Sequence, residues 1–331
     1  AYSPLHSSSH GEAALTADRN INFPLRLHSN ESPYGPFPQA LEATYDIAQQ
    51  ANRYTSDRRV ALRNALADHY RLDPEQVLLG CGSIELLKIT TEVFSSPRVP
   101  PVIAEPIYEA IDYYASLRKT HPVKVPLTKD FKHDLDRMAE ACHKRECLVY
   151  LCNPANPTGT ILSKNALKRF LSLVPEHVIV AVDEAYAEYV GRSDFESCVR
   201  YVKEGRPNVI VLRTFSKLYG LAGLRVGYAL GPKKLVRAMA SHRLWNNINQ
   251  AGAAAALASL GDKQMISVIR RKNAQVRKYF YEELQKLDLE FIPSETDFVM
   301  VNVNRSSAEI FAAFKEHQIL IGRRIPSLPE Y

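Results

Sequence analysis

A chain of 331 residues, 46% apolar and 24% charged, has the composition of a globular protein and the length for more than one packed core. Its formal charge of +6 is small, and basic pairs such as Arg58-Arg59 and Arg270-Arg271 are scattered; this excludes a nucleic-acid-binding arm and suits an acidic or phosphorylated small substrate. No apolar run approaches the ~18 residues of a membrane span, and the five cysteines have no zinc-ligand spacing, so no membrane, no metal and a reducing, cytoplasmic setting are expected.

Residues 1–20 are rich in Ser, His and Ala without a hydrophobic period and read as an arm, partly disordered. Leu25-Arg-Leu opens a short strand that passes into the turn-dense Asn30-Glu31-Ser-Pro-Tyr-Gly-Pro, which turns the chain and can also line a site. Helical spacing predicts helices over 38–51 and 60–70, with Tyr54 in the loop between them. After Pro74 a short strand breaks at Gly80-Cys-Gly82-Ser83, where Ser83 reads as the N-cap of an apolar-periodic helix. Free N–H groups at such a start suit an anion.

A strand from Pro101 ends near Glu105-Pro-Ile-Tyr108, and a helix follows to about Arg118. Another strand starts at Val123, and a helix is predicted over 135–143. The nearly all-apolar Cys147-Leu-Val-Tyr-Leu-Cys runs into Asn153-Pro-Ala-Asn156-Pro-Thr-Gly159, which continues neither strand nor helix. A helix over 164–173 precedes the apolar strand that ends in Asp183-Glu184-Ala-Tyr186; residues 209–212 and 226–230 are further strands. Strands without a polar face, separated by helical patterns, predict a mostly parallel central sheet covered by helices on both sides. Ligands bind beyond the carboxyl ends of such strands, where Asn156, Asp183 and Lys217 all fall.

From 235 to 287 helical patterns dominate, and short strands near 289–292, 298–302 and 319–321 surround a helix over 307–317. This alternation predicts a smaller α+β domain. The expected division is an arm and site loop (1–34), a large domain (35–245) and a small domain (246–331). The chain stops at Tyr331 after a Pro-rich turn, so further residues are expected there.

The stretch richest in chemistry is Thr214-Phe-Ser216-Lys217-Leu-Tyr-Gly-Leu-Ala-Gly-Leu-Arg225. A lysine just past a strand can form a Schiff base, while a hydroxyl and a guanidinium can hold a phosphate. A solvated Ser-Lys beside a surface arginine is the other reading of these residues alone. Polar side chains at the other strand ends weigh against it.

In order and spacing, Asn30-Glu-Ser-Pro-Tyr-Gly, Tyr54, Gly80-Cys-Gly-Ser, Glu105-Pro-Ile-Tyr108, Asn153-Pro-Ala-Asn-Pro-Thr-Gly, Asp183-Glu-Ala-Tyr186 and Ser216-Lys through Arg225 are a specific set. From about residue 25 to 320 the chain resembles the fold-type-I pyridoxal-phosphate aminotransferases, within them the histidinol-phosphate aminotransferase-like branch. The resemblance implies that Lys217 holds the aldehyde of pyridoxal 5'-phosphate and later serves as general base. It implies that Asp183 pairs with the pyridine nitrogen, that Tyr186 and Asn156 bond the phenolic oxygen, and that Tyr108 stacks on the ring. Gly82, Ser83, Ser216, Arg225 and, more weakly, Thr214 would bind the phosphate. Tyr54 would reach a partner subunit's phosphate, which implies a homodimer with shared sites.

For the substrate the resemblance implies Asn30 and Glu31. An arginine expected after the last apolar strand has no match at Gly322, and Arg323 and Arg324 stand one and two places later. A carboxylate-binding arginine is expected beyond Tyr331. Glu184 and Tyr219 read as packing or secondary hydrogen-bonding residues, and His242 and Trp245 as surface or interface residues. The implied activity is ping-pong transfer of an amino group from histidinol phosphate or an aromatic amino acid to a 2-oxo acid such as 2-oxoglutarate. A decarboxylase or lyase would keep the same cofactor residues, and a non-enzymatic cofactor binder is the reading from another class.

Overall fold

The computed structural model describes residues 24–54, 57–143, 146–322 and 324–331. The expected N-terminal arm and Arg323 lie outside the described residues. The chain opens with β1 (Leu25–Arg26), α1 (Pro38–Ala48) and α2 (Asp57–Tyr70), then β2 (Val77–Gly80) and α3 (Gly82–Phe94). Strand and helix alternate through β3 (Pro101–Glu105), α4 (Ala110–Leu117), β4 (Val123–Pro126), α5 (Leu135–His143), β5 (Leu148–Cys152), α6 (Lys164–Leu173) and β6 (Ile179–Asp183). Next come α7 (Val199–Lys203), β7 (Val209–Thr214), β8 (Gly227–Leu230), α8 (Lys233–Ala240), α9 (Gln250–Leu260) and α10 (Lys263–Lys286). β9 (Glu290–Ile292), β10 (Met300–Asn302), α11 (Ser307–Glu316) and β11 (Ile319–Leu320) follow.

Seven strands form one sheet in the order β2-β8-β7-β6-β5-β3-β4. Neighbours from β7 to β4 are parallel, whereas β8 is antiparallel to both β2 and β7. The apolar run at 226–230 is therefore a strand, but it breaks the parallel pattern. Its connection from β7 contains no crossover helix, so β8 starts at the sheet end where β7 stops, with Thr214 opposite Gly227. Ser216, Lys217 and Arg225 are thereby kept at one end of the sheet.

Side chains alternate across the sheet. Val149, Leu151, Val180, Val182, Val209 and Val211 pack in the core shared with α1, α2, α5, α6 and α9. Leu148, Tyr150, Ala181, Ile210 and Leu212 pack on the other side with α3, α4 and α8. Full burial of each such aliphatic side chain stabilises by about 1.5–3 kcal/mol. The same alternation sends Asp183 and Thr214 to the α3 side, and Glu184 and Arg213 to the opposite one.

One local expectation is corrected. Ser83 does not cap α3: Cys81 is the N-cap, and the Glu85 carboxylate accepts its N–H at 2.5 Å. Gly82, at φ +72°, begins the helix, and Ser83 sits one place inside it. The strand at 319–321 does not join β9 and β10, which form their own antiparallel pair. β11 pairs in parallel with β1, the Leu25 N–H donating to the Gln318 carbonyl and the Leu27 N–H to that of Leu320, both at 2.7 Å. This pairing anchors the segment that carries Asn30. α9 packs on α1 and α2, an approach that its buried Ala253–Ala256 run permits. Four of the five cysteines are buried. Among the described residues no helix is long and apolar enough to cross a membrane.

Candidate active site

Beyond the carboxyl ends of β3 and β7 a cavity of about 330 Å³ is lined by Glu31, Ser83, Tyr108, Ser216, Lys217 and Arg225, among others. One end of it is a cradle of N–H, hydroxyl and guanidinium donors. Thr214 Oγ1 and Ser216 Oγ lie 2.9 Å apart, and Thr214 Oγ1 also accepts the Ser216 N–H at 3.1 Å. Arg225, itself at φ +55°, donates from Nη1 to Ser216 Oγ at 3.3 Å and to the Ala222 carbonyl at 2.8 Å. Gly82 is required twice here. Its φ is positive, and a Cβ would collide with the Arg225 guanidinium. Helix start, hydroxyls and guanidinium together favour a dianion.

Asp183 lies deeper, 4% exposed. Its Oδ2 accepts from the Tyr150 hydroxyl at 3.0 Å and its Oδ1 from the Ala185 N–H at 3.1 Å. Burial pushes the carboxyl up to about 6, against the opposing pull of those hydrogen bonds and of Lys217. The Tyr186 hydroxyl accepts from Asn30 Nδ2 at 3.1 Å and from Asn156 Nδ2 at 3.3 Å, which joins the N-terminal loop to two strand ends.

The Lys217 Nζ donates to the Asn30 carbonyl at 2.9 Å and stands 5.3 Å from the Tyr186 ring centroid. Burial lowers its pKa, while Asp297, Asp183 and Glu31 oppose that shift. A lysine of depressed pKa has a larger neutral fraction at neutral pH, which both nucleophilic attack and proton abstraction require.

The structure thus brings Asn30, Glu31, Gly82, Ser83, Tyr108, Asn156, Asp183, Tyr186, Thr214, Ser216, Lys217 and Arg225 to one sheet end. Glu31 also pairs with Arg26 at 3.0 Å. Tyr54 is 91% exposed and outside this chain's cavity. Arg324 is exposed and likewise outside it, and Arg323 lies outside the described residues. Glu184 is buried against Arg213, Ser197 and the Cys198 N–H, and Tyr219 packs on Phe37 and Phe215. Trp245 and His242 are on the surface. A second cavity, about 310 Å³, lies beside β2 and α8 and is lined by Arg59, Arg63, Arg243 and the half-exposed ion pair of Lys233 with Glu75 at 3.1 Å.

Sequence reasoning missed three contributors. Tyr150 reads as one more core residue of β5, although the two-residue period places it beside Asp183 on the next strand. Phe298 packs edge-on against Tyr186, with centroids 5.2 Å apart. Asp297 reaches the Lys217 environment from the segment before β10, and no spacing pattern links the two.

A mostly parallel seven-stranded sheet, with an amine, a buried acid and an anion cradle at its strand ends, defines the fold-type-I transferase architecture. Residues 24–330 match the family model for aminotransferase class I and II, and the chain belongs to that family. It is 37% identical over 297 residues to a histidinol-phosphate aminotransferase of Moorella thermoacetica, covering 90% of this chain and 77% of the relative. It is 40% identical over 302 residues to an aromatic amino acid aminotransferase of Rhodococcus jostii, covering 91% and 84%. Among solved structures, the histidinol-phosphate aminotransferase of Sinorhizobium meliloti in complex with pyridoxal-5'-phosphate superposes with a TM-score of 0.85 at 29% identity, covering 93% of this chain and 84% of that one.

Proposed function

We propose that this aminotransferase uses pyridoxal 5'-phosphate to move an amino group from histidinol phosphate or an aromatic L-amino acid to a 2-oxo acid such as 2-oxoglutarate, in two half-reactions that share one site. The observation that carries the reading is a cavity lined by Lys217, Ser83, Ser216 and Arg225, with Gly82 against the Arg225 guanidinium and the buried Asp183 at the end of the adjacent strand β6. These residues match the donor set of a phosphorylated pyridine aldehyde: a cradle for the dianion, an acid for the ring nitrogen and an amine for the aldehyde. Asn156 and Tyr186 suit its phenolic oxygen, and Tyr108 suits its ring face. Bound there, the cofactor supplies an electron-poor ring that accepts the electron pair left behind when the donor loses its Cα proton.

The rest of the work falls to the chain. Lys217 takes the Cα proton on Nζ and returns it to the neighbouring carbon, held within reach by the Asn30 carbonyl. Asp183, ionised, keeps positive charge on the ring nitrogen. Asn30 and Asn156 fix the direction of the Tyr186 hydroxyl. Arg323 and Arg324 are proposed to meet the substrate, together with Glu31.

A homodimer is part of the proposal, with Tyr54 reaching the partner's phosphate site. Gln250 bonds the Gln50 carbonyl at 3.3 Å and also that of Arg53, which puts Tyr54 on the flank of α9, just after the exposed Leu244 and Trp245. A division near residues 34 and 245 and a cytoplasmic location complete the reading; an odd number of cysteines without zinc-ligand spacing suits a reducing compartment.

The test is the absorbance spectrum of cofactor-loaded protein on adding L-histidinol phosphate without an acceptor. Loss of the visible band is expected. An unchanged band with histidinol phosphate but loss with phenylalanine or tyrosine assigns the aromatic donor. Release of carbon dioxide assigns a decarboxylase, and absence of any visible band overturns the proposal.

A further inference from the structure

Asp297 has no part in the roles above. Both its carboxyl oxygens are buried, and the likewise buried hydroxyl of the neighbouring Tyr189 is the side-chain hydrogen-bonding group beside them. A carboxylate in that position costs stability unless a cation lies nearby. Two cations act on it, Lys217 more strongly than Arg277. Arg277 directs its N–H groups elsewhere, to the Thr296 carbonyl at 3.0 Å and to Glu295 at 3.3 Å. Seen from Lys217, Asp297 is the strongest acidic neighbour, ahead of Asp183 and Glu31.

The segment that carries Asp297 is firmly built. From α10, Asn273 donates to the Thr296 carbonyl at 2.9 Å, and the Tyr281 hydroxyl accepts the Ser294 N–H at 2.7 Å. The Glu295 N–H donates to the Gly159 carbonyl at 2.8 Å, which ties the segment to the loop of Asn156. A Cβ at Gly159 would strike Ser294, so that loop and this segment are in close contact. Phe298, the next residue, packs on the ring of Tyr186, the ring over which Lys217 Nζ stands.

We propose that Asp297 is a positioning residue for Lys217: a fixed counter-charge, additional to Asp183, that stabilises positive charge on the lysine nitrogen beside the cavity. The inference rests on Lys217 being the residue that joins the cofactor. As Nζ takes the donor's Cα proton it becomes an ammonium, and a fixed carboxylate favours that form; when the proton leaves again, the charge pair is lost. Burial pushes Asp297 up to about 6, so it is ionised at pH 7 and above and loses its charge as the pH falls through that value. Besides the two cations, the groups facing it are the phenols of Tyr186 and Tyr189, which stay protonated because burial raises both.

The experiment is a pH titration of the visible band of cofactor-loaded protein, comparing the unsubstituted chain with Asp297→Asn, Asp297→Ser and Asp297→Glu. Loss of the negative charge is expected to lower the band's pKa by about one unit or more in Asn and Ser, and Glu is expected to restore most of it. The acid limb of the kcat/KM profile should move the same way. A purely structural role would reduce folded protein without moving the pKa. An unchanged band pKa in whichever of Asn and Ser folds overturns the inference and leaves Lys217 its role; absence of the band in the unsubstituted protein overturns the reading of Lys217 instead.

Discussion

Asp183 combines a functional group with a folding cost. Its carboxyl is raised from 3.8 to about 6 by burial. A group raised in this way adds stability that is fully present below about 3.8 and is lost as the pH rises through about 6, where the buried acid must ionise. Two units correspond to about 2–3 kcal/mol at most. Asp183→Asn is therefore expected to make the cofactor-free protein about 1–2 kcal/mol more stable to urea at pH 7.5, with the gap closing toward pH 4. Equal stability at pH 7.5 would remove the burial argument. The same substitution should lower turnover about a hundredfold or more, because an amide cannot hold the ring-nitrogen proton.

At the scale of elements, the site depends on how β6 and β7 are joined on their far face. Arg213 of β7 donates to Glu184 at 2.7 Å and to Glu188 at 2.8 Å, and all three are nearly inaccessible. Burial opposes the charge on Arg213, but the Glu184 and Glu188 carboxylates, with the face of the Tyr70 ring 6.0 Å away, keep the guanidinium charged. Two members of this network are sequence neighbours of residues on the site face of the sheet, Glu184 of Asp183 and Arg213 of Thr214. Arg213→Met leaves two buried carboxylates without their cation, and a loss of about 3–5 kcal/mol is expected in urea unfolding. Replacing Arg213, Glu184 and Glu188 together by Met, Leu and Leu should recover most of that loss. A triple variant no more stable than Arg213→Met would show that the pairing itself, and not the orphaned charge, carries the effect.

At the scale of the molecule, the flank bearing Tyr54, Leu244 and Trp245 has the character of a surface that another chain completes. Trp245 is 95% exposed and Leu244 72% exposed. Beside them, burial and the neighbouring Arg59 and Arg63 lower the pKa of Arg243, whose Nε is buried without a partner. Exposed apolar side chains of this size are poorly suited to water. On the proposed homodimer, Trp245→Asp is expected to shift the protein from dimer to monomer in sedimentation velocity, with loss of activity in parallel. Tyr54→Phe should leave the dimer intact and weaken cofactor binding about tenfold. A fully active monomer would remove the shared-site proposal.

Much of this was legible along the chain. Unbroken apolar runs between helical patterns announce a covered parallel sheet, and polar residues just past those runs, Asn156, Asp183 and Lys217, announce the site, because the end of a buried strand is where a side chain can be polar and still face a ligand. The two-residue period also carries the division between Asp183 and Glu184. Other features depend on packing between distant segments. β8 turns back because its connection has no crossover, β11 finds β1 rather than β9, and Ser83 loses the cap position to a contact made by Glu85. Asp297 stands eighty residues beyond Lys217 and meets it only because α10 side chains hold its segment. Periodicity and neighbouring residues specify which elements form and where their polar ends lie; which buried charges share a space is decided by the packing of the whole chain.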